Sequence, residues 1–206
     1  VAVFKEWLAG RRAYLAGRIL PYTTCVFRVT TGSYTTGVPR ATIAGIAPVR
    51  VAAICVNGAT YEPNWTTVTN WEIAVSLTNA NANPLAVTAH DRSGVLIGAG
   101  ALTVTCSGSP VSPAGWVTIN EIMYHAPVAG GNFVELYNRS ATAGFDLGGL
   151  RLNGVDFVFP YGSYLGPTGY LVVAESLPGY AALYSNILCV AGEYNGALQD
   201  GGETIS

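Results

Sequence analysis

The chain has 206 residues, half of them hydrophobic and 11% charged, with a net charge of −2 and a single lysine, Lys5. An average soluble domain carries about 25% charged residues. The one basic cluster, Arg11, Arg12 and Arg18, argues against nucleic-acid binding, which needs many cations on one face, and no run reaches the ~20 apolar residues of a membrane-spanning helix. Gly, Thr, Asn and Ser stand where charges would otherwise coat the surface, a composition common in all-β extracellular modules and unusual in cytosolic enzymes.

The first 21 residues carry Phe4, Trp7, Leu8, Leu15 and Ile19 at near-helical spacing, with Pro21 as the expected stop. An apolar stripe on so short a helix needs a surface to pack on. The favoured reading makes 1–21 the helical remnant of an upstream domain; packing on the following β-unit is the alternative. Val1 opens inside this pattern and Glu203–Ser206 reads as a strand cut short, so the chain is expected to be an excerpt of a longer protein.

From residue 22 to 108 the period changes to two. CVFRVT, ATIAGIA, VAAICVNG, WEIAVSL, PLAVTAH and ALTVTC are six expected strands, separated by Gly32, Gly37–Pro39, Pro48, Asn57–Gly58, Asn79–Pro84 and Arg92–Gly94. Asn57–Gly58 between alternating apolar residues predicts a type I′ hairpin. Trp71, Ile73, Val75 and Leu77 form one apolar face. Short strands at such spacing predict an immunoglobulin-like β-sandwich. Residues 109–116, at the end of a Ser/Pro/Gly-rich run, are the expected linker.

Residues 117–206 supply VTINEIMY, NFVELYN, DLGGLRLNG, VDFVFP, GYLVVAE and NILCVAGEY, with Asn153–Gly154 as a second hairpin signal and Pro178–Tyr184 as a turn of helix. The predicted fold class is therefore all-β: two immunoglobulin-like sandwiches behind a short N-terminal helix. The four cysteines, Cys25, Cys55, Cys106 and Cys189, have no zinc spacing and allow three pairings between which the sequence does not choose. Strand phase points to Cys25–Cys106 and puts Cys55 toward solvent; free thiols are the alternative.

INEIMYHAP, NFVELYNRS, DLGGLRLNG, FVFPYGSYLGPTGYLVVA and ALQDGGETI resemble the lamin tail domain in its bacterial form, over residues 117–206. The resemblance implies an immunoglobulin-like sandwich. Where that family commonly carries tryptophan this chain has Leu150, expected to be a core substitution, and the family's closing strand is not reached. FKEWLAGRRAYLAGRIL is similar to the last helix of a spore-coat-protein-H-like (CotH-like) kinase domain, and VAAICVNGATYEPNW with WEIAVSLTNANANPLAVTAHDRSG to the bacterial Ig-like module that precedes such tails. The kinase motifs are not in this chain, so the resemblance implies no kinase activity.

His90 and His125 have no nucleophile motif beside them and read as surface or turn residues. Glu121 and Glu135 sit on the two strands of the opening unit, where they could face each other as a glycosidase-type carboxylate pair; structural hydrogen bonding is the favoured reading. Asp91, Asp146 and Asp200 lie in loops without calcium-loop spacing, which favours Asx turns. Tyr161, Tyr164, Tyr170, Tyr180, Tyr184 and Tyr194, with Trp65, Trp71 and Trp116, could offer a sugar-stacking platform, against which core and edge packing is favoured. Asn64–Thr66 and Asn138–Ser140 match the glycosylation acceptor pattern.

No residue is singled out as catalytic, cofactor-binding or metal-ligating, and no cofactor is implied. The expected function is a non-catalytic extracellular structural or interaction module on a larger secreted or cell-surface bacterial protein. Its partner would be a protein or a cell-surface polymer, not nucleic acid, and a carbohydrate-binding accessory domain is the alternative.

Overall fold

The computed structural model describes residues 2–184, 189–199, 201–202 and 204–206. The chain divides into two compact units, Val1–Pro110 and Val111–Ser206. Both are built mainly of β-strands, and the fold class is all-β and immunoglobulin-like.

The first unit opens with helix α1 (Ala2–Thr24), which runs through Pro21 rather than stopping there. Proline removes one backbone donor, but the Leu20 carbonyl beside it accepts the hydroxyls of Thr23 at 3.1 Å and Thr24 at 2.7 Å, which supports the final turn. Phe4, Trp7 and Ile19 are all more than half exposed. Arg11 and Arg18 both lie over the Tyr14 ring, at 5.7 and 5.3 Å, so two cations of the basic cluster are engaged by one aromatic face.

Two sheets follow. One orders β1 (Arg28–Val29), β3 (Arg40–Ile46), β7 (Asn70–Ser76) and β6 (Asn64–Trp65) as β1-β3-β7-β6. The other runs β2-β9-β8-β4-β5, from β2 (Tyr34–Thr36), β9 (Leu96–Cys106), β8 (Asn81–His90), β4 (Ala53–Val56) and β5 (Ala59–Tyr61). Alternation delivers Ile43, Trp71, Ile73, Ile54, Val87 and Val104 into one shared core. Trp71 is fully buried and stacks on Phe27 with ring centroids 5.8 Å apart. Its partner across β3 is Gly45, the one residue type that leaves room for the indole there.

Asn57 and Gly58 both have positive φ, 51° and 84°, as a type I′ turn requires. Asn57 also fixes the neighbouring strand: its Oδ1 accepts from Ala86 N at 2.8 Å and its Nδ2 donates to the Pro84 carbonyl at 3.1 Å. Asn81–Asn83, read above as part of a turn, are the first residues of β8. Buried Asn83 makes this possible, donating to the carbonyls of Asn79, Asn81 and Val104. Tyr34–Thr36, unmarked in the sequence pattern, pairs in parallel with β9.

The pairing of Cys25 with Cys106 is not formed; both are thiols. Cys106 is buried and donates to the Gly108 carbonyl at 3.2 Å, while Cys25 follows α1 and points at the Tyr22 carbonyl. Shared phase within separate strands does not bring two cysteines to bonding distance. Cys55 alternates with buried Ile54 and Val56 as expected and sits 3.4 Å from Thr60 Oγ1.

The second unit centres on the sheet β10-β11-β16-β17, from β10 (Val117–Met123), β11 (Phe133–Asn138), β16 (Tyr170–Ala174) and β17 (Val190–Glu193). β17 lies parallel to β16, so this unit is not purely antiparallel. Two short ribbons, β12 (Phe145–Asp146) with β15 (Tyr164–Leu165) and β13 (Arg151–Leu152) with β14 (Phe157–Val158), contribute to the core opposite. Val134, Leu147, Val155, Leu165 and Val173 are buried in that core. Leu150 is 45% exposed rather than a core residue, and its backbone instead ties the turn, donating to Leu147 O and accepting from Phe159.

Helix α2 (Leu177–Leu183) starts from Ser176, whose hydroxyl accepts from Gly179 N, with Pro178 in the first turn. Asn153–Gly154 lies in a four-residue connection between β13 and β14, not a two-residue turn. Asn153 exchanges backbone hydrogen bonds with Ser206, at 2.8 and 3.4 Å, so the terminal segment docks as the next strand would.

Candidate functional site

The outer face of the β10-β11-β16-β17 sheet is bordered by a strand, β10, that carries one extra residue. Register runs Ile119↔Leu136, then Glu121↔Glu135, so Asn120 is a bulge. Ile119 and Leu136 belong to the main core, yet Met123 and Phe133 belong to a second cluster with Val172, Ala174 and Tyr180. Residues 119 and 123 differ by an even number and would share a face in a regular strand. The bulge reverses the phase and brings Glu121 beside Glu135.

Across this face Glu121, Glu135, Val172 and Val190 form one row, and Thr118, Tyr137 and Tyr170 the next. Tyr137 and Tyr170 stack with centroids 4.6 Å apart, and Tyr170 is 48% exposed. Glu135 Oε1 accepts from Asn120 Nδ2 at 2.7 Å. At the opposite end Tyr180 and Tyr184 pack edge-on against Phe133 from α2 and the segment after it, at 5.6 and 5.3 Å. The Tyr180 phenol is pushed above its usual value, first by burial, then by Glu135, Cys189, Tyr184 and Glu121. It therefore stays a neutral hydrogen-bonding group at physiological pH.

Glu121 and Glu135 are thus brought together, but Glu135 bonds a neighbouring amide rather than turn backbone. The nine aromatics named above scatter: Trp71 lies in the first unit's core, Tyr194 in the second's, and Trp65 and Trp116 are exposed. Only Tyr170, Tyr180 and Tyr184 border the acidic face. Tyr137 was missed, although in FVELYN it shares phase with Glu135 and opens toward the start of GYLVV. Asn120 was missed because a bulge leaves no mark in the pattern.

His125 is exposed, its ring 6.5 Å from Tyr124. His90 bonds Gly94 O and Thr88 Oγ1. Asp91 accepts from Ser93 N and Val95 N, and Asp146 from Gly148 N at 2.6 Å, the Asx-turn duty expected of them. Asp200 lies outside the described residues. Among the described residues no set of three or more His, Cys, Asp or Glu side chains converges as a metal site, and no helix is long and apolar enough to cross a membrane.

Asn138 is not available as a glycosylation acceptor. Its side chain is fully buried, Nδ2 donating to the carbonyls of Ala143, Gly166 and Leu165 at 2.7, 2.8 and 3.3 Å while Oδ1 accepts from Ser140 N at 2.9 Å. Asn64 remains exposed.

Fold and face together define an immunoglobulin-like β-sandwich protein with an open acidic and aromatic sheet surface. Residues 110–205 match the family model described as Lamin Tail Domain, slightly under half of the chain. None of the curated proteins matches. Among solved structures, the chain is similar to SGBP-B of the Bacteroides ovatus mixed-linkage glucan utilization locus, in complex with a mixed-linkage heptasaccharide. That likeness has 15% identity, a TM-score of 0.24, and covers 78% of this chain and 46% of the other. The chain thus spans under half the length of that protein.

Proposed function

We propose that the chain is a non-catalytic extracellular contact module, an accessory part of a larger secreted or cell-surface bacterial protein, that meets its partner through the outer face of the second unit. The Tyr137–Tyr170 stack beside Glu135 is the observation that supports this reading. The two stacked rings hold each other in place, so the exposed part of Tyr170 is presented at little entropic cost, and the carboxylates beside them supply acceptors. The rigid core only presents the face.

The partner is a protein or a cell-surface polymer. The carbohydrate reading draws on the same stack, because a sugar places its C–H face on an aromatic ring and its hydroxyls on Glu121, Glu135 or Asn120.

The test is retention of the protein on a panel of immobilised polysaccharides and on intact bacterial cells, with calcium and with chelator, for wild type, Tyr137→Ala and Tyr170→Ala. Selective retention that falls roughly tenfold in both variants, with unchanged circular dichroism, supports the reading. Retention indifferent to both substitutions, or release of new reducing ends from a retained glycan, overturns it.

A further inference from the structure

The first unit carries a second site that is independent of the acidic face. A cleft of about 500 Å³ is lined by Val49, Arg50, Val51, Ala52, Asp91, Arg92 and Ser93, within the size range of pockets that take small ligands. Two turns build it. The turn before β4 is closed by Val51 N donating to Pro48 O at 3.0 Å, and the loop after β8 by Asp91 N donating to Val95 O and Gly94 N to Asp91 O, each at 3.0 Å. Ala52 N donates to His90 O at 2.8 Å and laces the two together. Asp91 Oδ1 holds the second loop through Ser93 N and Val95 N, at 2.8 and 3.0 Å.

The charges of this cleft are not spent on one another or on the other described residues. Among the described residues neither Arg50 nor Arg92 forms an ion pair or a side-chain hydrogen bond, in a chain with only ten Lys and Arg. The second carboxylate oxygen of Asp91 is likewise uncommitted among those residues. Two guanidinium groups donate only, and in fork geometry suited to a carboxylate. The Asp91 oxygen accepts only, and suits a hydroxyl.

We propose that this cleft binds a sugar acid, a uronate residue of an acidic polysaccharide, whose carboxylate takes Arg50 and Arg92 and whose hydroxyls take Asp91. A phosphate group satisfies the arginines but brings acceptors and more negative charge to Asp91. A neutral sugar satisfies Asp91 and leaves both guanidinium groups unmatched. A ligand with a carboxylate and neighbouring hydroxyls meets all three side chains.

The experiment is calorimetric titration of the protein with digalacturonic acid, with galactobiose as the neutral counterpart and inorganic phosphate as the simple anion. Arg50→Gln, Arg92→Gln and Asp91→Asn are compared with wild type. Arg50 and Arg92 are exposed, and asparagine keeps an Oδ1 for Ser93 N and Val95 N, so all three variants retain the fold by circular dichroism. Digalacturonic acid binds and galactobiose does not, and each arginine variant weakens binding roughly tenfold. Asp91→Asn weakens digalacturonic acid while strengthening phosphate. Phosphate binding as tight as digalacturonic acid in wild type, uronate affinity unmoved by the arginine variants, or no uronate binding at all overturns the proposal.

Discussion

Replacing Asn138 with alanine removes a four-bond junction from the interior of the second unit. Its Nδ2 serves three carbonyls and its Oδ1 serves Ser140 N, all next to buried Leu165 and Ser140. Each such bond is worth about 1 kcal/mol net, and each buried group left unpaired costs about 1–3 kcal/mol more. Water reaching part of the void offsets some of this, which leaves a loss of about 3–5 kcal/mol, a large share of the ~5–15 kcal/mol that holds a typical domain. Asn138→Asp keeps the acceptor but sets a carboxylate oxygen against three carbonyls, so at neutral pH it is the more damaging change. Burial and those carbonyls raise the folded-state pKa of the new acid. The charge-dependent part of its penalty is therefore absent below the unfolded value of about 3.9 and grows as pH rises above it, while the protonated acid still offers one donor where the amide offered two. Urea unfolding with hydrogen exchange read on peptides from 133–174, against peptides from 71–106 as an internal control, measures both effects. A loss under about 1 kcal/mol for Asn138→Ala, or an Asn138→Asp variant as stable as wild type at neutral pH, refutes the reasoning.

Gly45→Ala drives a methyl into the Trp71 indole and the Arg28 carbonyl; a loss of about 2–3 kcal/mol in the first unit is expected in the same urea assay, with the second unit unchanged. The raised Tyr180 phenol gives an alkaline signature. An acid whose pKa is raised on folding ionises first in the unfolded chain, so stability falls as pH climbs above the unfolded value of about 10. Tyr180→Phe removes that part of the slope, which ultraviolet difference spectroscopy and alkaline unfolding detect; an unchanged slope shows that Tyr180 titrates as it does in the unfolded chain.

The sandwich architecture was legible because alternation and turn chemistry agree. Ile43, Trp71 and Val87 stand at inward positions, and Asn57–Gly58 is the pair that a two-residue turn demands. What escaped was structure set by partners distant in sequence. Tyr34–Thr36 lies between glycines and becomes a strand only because β9 offers an edge. Leu150 looked like core by analogy with a tryptophan, but position in the turn, not residue type, decides its exposure. The outer face was half visible: Glu121 and Glu135 were named, while Asn120 and Tyr137 were not. Their significance depends on register, and register across β10 and β11 depends on a bulge that residue types alone do not announce.

That bulge also changes how this strand is to be compared with its relatives. Up to Ile119 odd-numbered residues of β10 face the core; from Glu121 onward they face the other way. A one-residue gap at Asn120 in an alignment is therefore a geometric event, the presence or absence of a bulge, in which the parity of the numbering changes and the faces do not. Loss of that residue would leave Ile119 opposite Leu136 and Glu121 opposite Glu135 on the faces they hold now, because the deletion removes the bulge together with the extra residue. Counting residues straight through Asn120 would instead swap core and surface positions over half of the strand, so the bulge and not the residue number sets which positions correspond.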